Sequence, residues 1–460
     1  MRLLLLCFLM LLGWNVLSQN TLIQTKDSSV IIGDIIISGN KKTKTNIILR
    51  EMFFKVGDTI AANQLEQKVE QSRQLIFNTS LFVDVVLHTA KLDSNKVSVI
   101  VLVKERWYIF PLPYFKLVDR NFNDWWVNQH RDFSRVNYGI KFTQYNFTGN
   151  RDKLSVYLLT GYNRQVSFNY ELPFSNKKLT NGFSVGYTYS QQKELNYLTS
   201  SENKQLFFKL QDGFARTFSR YDVAFVHRPN KFYKHTFRVG YTAESVADSI
   251  IIKNGTYYGD GVKRLQYADF SYTLQYTNTN YNAYPTNGFI GVAYFQFKAF
   301  SNHSSISQII TTGLFAKPLS RKSFVRTRFG ATIKFPYTPS FINQPLFGYG
   351  DFLIRGLEYY VVDGMAGAFE KTTLATSLFT ANLKLPVNSK TYNNIPFNFY
   401  GKIYNDIGYS YNPYINNNLN NKLLCGYGIG IDIVTIYDIV LKFEYSFNQL
   451  GGKGFFLGGN

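Results

Sequence analysis

The chain has 460 residues, enough for two to four domains or for one small domain and a large β unit, and its 50 basic and 30 acidic residues give a formal charge of +20. Charged residues are 17% of the chain and aromatic residues another 17%, a balance that excludes a disordered chain, a coiled coil and a typical cytosolic enzyme. Mean hydropathy is only −0.16, and past the N-terminus no apolar run approaches the roughly 18 residues of a membrane helix, so a helical membrane protein is excluded too.

Residues 1–18 read as a secretory signal, with Arg2, the apolar stretch Leu3 to Leu12, and Val16 and Ser18 before a cut at Gln19; residues 19–29 form a short extension. Cys7 leaves with the signal. The mature chain then keeps only Cys425, so no intramolecular disulfide forms and stability rests on packing and hydrogen bonding. For an exported chain the basic surplus points to phosphate groups of an outer leaflet and not to nucleic acid.

Residues 30–105 carry most of the helical periodicity. Val30 to Ser38 is β-branched and strand-like, and Gly39-Asn40 is a turn. Thr45 caps a short helix bearing Ile47, Ile48 and Met52, which Val56-Gly57-Asp58 ends. A second helix over 61–77 puts Leu65, Val69, Ser72 and Ile76 on one face, and strands follow at 81–88 and 96–104. The expected order is β-α-α-β-β, with 106–135 as a linker.

From Val136 onward polarity alternates residue by residue. In Gln165 to Phe174 the apolar Val166, Phe168, Tyr170, Leu172 and Phe174 alternate with Gln165, Ser167, Asn169 and Glu171, and the same pattern spans Tyr437 to Asn448. A soluble β-sandwich also alternates, but the number and length of the strands, their Tyr and Phe content and the signal peptide fit a closed transmembrane barrel. Sixteen strands are expected, at 136–147, 152–162, 165–174, 181–191, 204–211, 216–227, 233–244, 264–277, 287–300, 305–317, 322–336, 371–386, 395–408, 422–435, 437–448 and 453–459. With both ends in the periplasm, odd-to-even connections are extracellular, and the long segment 336–370 is the sixth outside loop.

Catalytic and cofactor chemistry finds no footing. His88, His130, His227, His235 and His303 are scattered, and no phosphate loop or nucleophile elbow is visible. Cys425 shares the lipid-facing register of Tyr427, Ile429 and Ile431, which turns Gly426, Gly428 and Gly430 inward, where they let the sheet bend or another segment approach. In Phe397 to Gly408 the apolar register Phe397, Phe399, Ile403 and Ile407 leaves Lys402, Tyr404 and Asp406 facing the lumen. Arg326 reads as a lone lumen charge. The closing strand 453–459 is short and contains Gly454, Gly458 and Gly459 after Gly452, so its seam with 136–147 should be the weakest in the barrel.

Two resemblances give these elements a family. Ile35-Ile36-Ile37, Gly39-Asn40, Thr45, Phe54 with Gly57-Asp58, and Asn78-Thr79-Ser80-Leu81-Phe82 resemble a POTRA domain, the polypeptide-transport-associated module. Ile354-Arg355-Gly356-Leu357 looks like the (V/I)-R-G-(F/Y) loop motif of the BamA/TamA superfamily, departing from it at Leu357. Asp406-Ile407-Gly408 resembles that superfamily's D-x-G element, and Asn146-Phe147-Thr148-Gly149 its aromatic-x-Gly turn. The resemblance implies an outer-membrane protein that inserts or translocates polypeptides. Arg355 would be held on Asp406, or on a neighbour such as Glu444, so that the loop plugs the lumen. The POTRA edge would receive unfolded outer-membrane or secreted polypeptides, with periplasmic partners assisting. The exit would be a lateral seam lined by Ile140 and Phe142 on one side and Phe455, Phe456 and Leu457 on the other. A dedicated secretion pore and a passive porin are the alternatives.

Overall fold

A computed structural model describes residues 29–93, 95–117, 133, 136–259, 261–301, 304–350, 352–384 and 394–459. The expected signal and nearly all of the N-terminal extension lie outside the described residues, as does most of 118–135.

The N-terminal domain contains β1 (Ser29–Ser38), α1 (Thr45–Glu51), β2 (Thr59–Ala61), α2 (Ala62–Phe77), β3 (Phe82–Lys91) and β4 (Lys96–Glu105), with sheet order β2-β1-β4-β3. The short β2 was not expected. It exists because Gly57, at φ 92°, reverses the chain and donates its N–H to Ile32 O at 2.8 Å, which lays Thr59–Ala61 against β1. Thr45 is the first helical residue and not the cap, a position that Lys44 occupies without a side-chain bond. Both helices bury their apolar faces on the sheet, with Ile32, Ile47, Ile48, Ile76, Val99 and Val101 at the centre.

Sixteen strands form a second, wholly antiparallel sheet. In chain order they are β5 (Ile109–Leu117), β6 (Val136–Tyr145), β7 (Lys153–Gly161), β8 (Arg164–Leu172), β9 (Asn181–Gln192), β12 (Arg216–His227), β13 (Tyr233–Val246), β14 (Arg264–Thr279), β15 (Gly288–Phe300), β16 (Ile306–Pro318), β17 (Ser323–Phe335), β20 (Ala366–Lys384), β21 (Asn394–Tyr411), β22 (Leu423–Val434), β23 (Val440–Asn448) and β24 (Lys453–Gly459). Outside this sheet are the hairpin β10 (Glu194–Thr199) with β11 (Gln205–Lys209), the short helix α3 (Asp248–Lys253), and the pair β18 (Pro345–Phe347) with β19 (Val362–Asp363). Outward positions such as Tyr221, Val223 and Phe225 on β12, Phe237, Val239 and Tyr241 on β13, and Tyr427, Ile429 and Ile431 on β22 form an exposed apolar belt, the surface of a transmembrane barrel. No helix among the described residues is long and apolar enough to cross a membrane.

The expected strand number holds, but two of its members differ. The presumed linker contains the first strand, β5, whose Pro111 and Pro113 disguise it because repeated prolines in mid-strand are confined to an edge or a bulge. The segment 204–211 is instead half of the β10–β11 hairpin, which pairs with no barrel strand among the described residues. Strand 136–147 is therefore second, and Ile140 and Phe142 pair with Pro113 and Pro111 of β5 instead of bordering the seam. The shift also moves the turn Asn146–Gly149 to the opposite end of the barrel. Likewise Tyr437 and Asp438 belong to a 3-10 turn before β23, and the long loop ends at β20, whose first residue is Ala366.

The N-terminal domain is seated on that end. Phe174 and Leu179, from the β8–β9 turn, join its hydrophobic core. Lys44 N donates to Gly149 O at 3.1 Å and Asn146 Nδ2 to Thr43 Oγ1 at 2.9 Å. Asn78 bonds both Thr279 O and Asn282 N on the β14–β15 turn, at 3.1 and 3.0 Å. Asp438 accepts from Arg106 at 2.7 Å, Tyr281 at 2.8 Å and Ser80 at 2.9 Å. Those bonds hold its carboxyl below the usual range against the upward push of burial.

Glu51, buried at the centre of this interface, faces Arg50 at 2.9 Å, Arg228 at 3.7 Å and Arg151 at 3.9 Å. One carboxylate thus answers three guanidiniums. Burial, aided by repulsion from Arg151 and Arg50 and opposed by Glu51, brings Arg228 down to about 9. Replacing Glu51 by Gln removes the carboxylate that all three guanidiniums face and should undock the domain, read as at least tenfold faster hydrogen exchange in α1. Arg228→Ala relieves the surplus charge and should leave that exchange within about threefold of wild type.

Candidate functional site in the barrel lumen

Four adjacent strands build the site, because antiparallel register places inward residues in level rows. Asp406 on β21 is opposite Gly426 on β22, which is opposite Asn448 on β23. The next rows are Tyr404–Gly428–Ser446 and Lys402–Gly430–Glu444. Each glycine opens a gap that something crosses. A Cβ on Gly426 would overlap the carbonyl oxygen of Arg355. A Cβ on Gly428 would lie 2.5 Å from the Tyr404 hydroxyl, which passes over it to Ser446 Oγ at 2.7 Å. A Cβ on Gly430 would lie 2.9 Å from Lys402 Cε, whose ammonium reaches Glu444 and Asp432 at 2.5 Å each.

The long loop 336–365 folds back into this wall. Asp406, fully buried, takes the Arg355 backbone N–H at 3.0 Å, Nε at 2.9 Å and Nη2 at 2.5 Å. The guanidinium also donates to Thr373 Oγ1 at 3.2 Å, stacks 3.8 Å from the Tyr404 ring centre and faces Glu444 at 3.5 Å. Such a desolvated, multidentate contact fixes geometry as well as charge. Gly356, at φ 91°, turns the chain where a Cβ would come 2.6 Å from Phe447 O, and its carbonyl accepts from Asn448 Nδ2 at 2.6 Å. Ile354 and Leu357 are buried in an apolar cluster with Leu346, Phe347, Phe352 and Phe369, and Gly408 makes room for Ile354 and Phe347. Leu357 fills the place where the motif has an aromatic.

Sequence reasoning missed the rest of the network. Asp432, fully buried, bonds Tyr284 Oη at 2.8 Å, and Arg326 lies 3.5 Å from it while stacking 4.5 Å from the Tyr284 ring. Arg326 is therefore not a lone charge. The inward parity of Asp432 was readable from its strand, but Tyr284 sits on the β14–β15 turn and had no periodic signal. Phe456 points inward, its ring 5.5 Å from that of loop residue Tyr359, whereas Phe455 and Leu457 are exposed on the outer face. Among the described residues no ladder joins β24 to β5, so these two strands border the seam. No group of three or more His, Cys, Asp or Glu side chains suited to a metal occurs among them either.

Residues 30–106 match the POTRA family model, described as surface antigen variable number repeat. The chain superposes on the crystal structure of BamA from Haemophilus ducreyi lacking POTRA domains 1–3, with a TM-score of 0.52 and 16% identity over 94% of this chain and 84% of that one. It also superposes on CdiB from Escherichia coli, with a TM-score of 0.50 and 10% identity over 96% of this chain and 92% of that one. Comparison with curated proteins gives no significant match. Among the described residues the fold is one POTRA-like domain followed by a barrel of the kind seen in BamA and CdiB.

Replacing Arg355 by Ala leaves the Asp406 carboxylate buried without its main partner and should destabilise the barrel by about 3–5 kcal/mol. Gly426→Ala keeps the charge but expels the loop, and should expose position 354, as a cysteine in a Cys425→Ser background, to thiol reagents. Arg326→Ala should cost about 1 kcal/mol, because Asp432 retains Lys402 and Tyr284. Heat-induced mobility shifts and labelling rates measure all three.

Proposed function

We propose that this protein is an outer-membrane polypeptide translocation or assembly factor, with its POTRA domain in the periplasm and the loop 336–365 entering the lumen from outside. The observation that carries the reading is the pairing of a latched lumen with an unpaired seam. Arg355 and its apolar neighbours fill the lumen on one wall, while β5 and β24 share no ladder among the described residues. A barrel built for solute flow needs neither feature. A client chain is received on an exposed edge of the POTRA sheet, β2 or β3, by β-augmentation, and leaves sideways between β5 and β24. The kinship of fold with BamA and CdiB and the loop motif support handling of polypeptide; the lipid-facing belt and basic charge support contact with anionic outer-membrane lipids, lipopolysaccharide among them. Residues Ile354, Arg355, Gly356, Leu357, Asp406 and Gly408 act as a latch that keeps the lumen shut at rest. They carry no catalytic chemistry.

Locking the seam tests this. In a Cys425→Ser background, Phe115→Cys and Phe455→Cys, joined by a flexible bismaleimide, should abolish complementation of a deletion strain, while either single variant should retain it. Full complementation with the seam joined would remove lateral exit and favour passage through the lumen, the behaviour of a dedicated secretion pore.

A further inference from the structure

Where the POTRA domain is seated, it roofs a cavity of about 480 Å³ at that end of the lumen. Glu51, Leu75 and Asn78 close the cavity from the POTRA side, and inward residues of β8, β9, β12, β13 and β14 form its wall. The charged lining is mostly of one sign. Arg151, Arg228, Lys231, Lys234 and Arg238 meet only two carboxylates there, Glu51 and Glu171.

The cations differ in what already holds them. Arg50, beside Glu51, bonds its carboxylate at 2.9 Å and spends its other nitrogens on the carbonyls of Leu179, at 2.8 Å, and Arg228, at 3.3 Å. Arg238 is paired with Asp222. Arg228 and Arg151, by contrast, face Glu51 at 3.7 and 3.9 Å, beyond hydrogen-bonding distance. The Arg228 guanidinium makes one long bond, to Lys231 O at 3.4 Å, and lies 5.4 Å from the Phe174 ring centre. Arg151 stands at φ 64°, a backbone strain that the Asn146 side chain supports by accepting its N–H at 3.0 Å. Lys231 lies 5.3 Å from the Phe53 ring centre, and neither it nor Lys234 forms an ion pair among the described residues. Burial, opposed by Glu51 and reinforced by Arg50 and Lys55, holds the Lys231 ammonium below its ordinary range.

Two guanidinium forks and two ammonium groups thus border one space with donors to spare. Like charges gathered at one end of a narrow lumen repel, and a ligand that relieves them needs several oxygens and more than one negative charge. A phosphate group meets both needs in a small volume, taking the planar fork of arginine bidentately and lysine as a point charge. Thr236, Gln275 and Thr277 add neutral donors on the same wall.

We propose that this chamber is a binding site for an anion bearing phosphate groups, held by Arg151, Arg228, Lys231 and Lys234 between the POTRA domain and the lumen. The anion supplies the negative charge that Glu51 alone does not. The site stands independently of the route by which a client leaves.

The full chain in dodecyl maltoside micelles, which carry no phosphate, tests it by calorimetric titration with sodium pyrophosphate at neutral pH and constant ionic strength. Saturable binding near one to one is expected. Lys231→Gln with Lys234→Gln should weaken it about tenfold or more, the loss expected for two charge-assisted contacts. Glu171→Gln, which keeps the size of a lining side chain and its bond from Asn169 but removes a repelling charge, should tighten it about threefold, a gain that damage to the fold cannot mimic. Citrate, with similar charge on carboxylates, should bind about fivefold or more weakly than pyrophosphate. Heat-shifted mobility shows that each variant keeps its barrel. Dihexanoyl phosphatidic acid and glycerol phosphate separate the two sources of such a group: a lipid ligand binds about tenfold or more tightly with its chains than without them, and equal affinity marks a soluble phosphate compound. No saturable binding, unchanged affinity in the double lysine variant, or no gain in Glu171→Gln would overturn the site, and citrate binding as tightly as pyrophosphate would overturn its assignment to phosphate.

Discussion

A backbone N–H or C=O that faces lipid tails has no water to turn to, so a sheet can span a membrane only if nearly every such group is paired within it. That requirement organises this molecule. It accounts for antiparallel strands each paired with its neighbours, it leaves Pro111 and Pro113 in mid-strand where β5 forms an edge, and among the described residues one interface, between β5 and β24, stays without a ladder. The buried ion pairs of the lumen follow from it as well. A closed wall with polar residues inside brings charges together away from bulk water, where they persist only as mutually satisfied groups.

The glycine column of β22 shows how that satisfaction is achieved. Three alternate inward positions without side chains let the loop come in at Arg355 and let Tyr404 and Lys402 reach partners two strands away. The result is a connected set running from Asp406 through Arg355, Glu444 and Lys402 to Asp432, Arg326 and Tyr284. Any one carboxylate here is shared by several donors, so the loop is held by the set and not by a single bond.

Much of this was legible because period-2 alternation is a strong signal wherever one face meets lipid. It placed Asp406, Lys402 and the glycines inside, and with the loop motif it put Arg355 beside Asp406, where the structure also has it. The alternation failed where local chemistry cut across it. Pro111 and Pro113 made β5 look like a linker, and the β10–β11 hairpin alternates like a barrel strand without being one, so an error of one strand at the start was cancelled by another before β12. Positions such as Tyr284 and Asp438 lie on turns, whose side-chain partners depend on tertiary placement that no periodicity encodes.

The β14–β15 turn, residues 280–287, belongs to two structures at once. Asn282 and Tyr281 meet the POTRA domain and the Asp438 junction, while Tyr284, two residues on, anchors the lumen network at Asp432. The chain is therefore less modular than its two-domain description suggests. A POTRA domain transplanted from a relative would arrive without a match for this turn, and a barrel transplanted without its own domain would lose support beneath Asp432. The natural unit of exchange is the domain together with the turn that reads it.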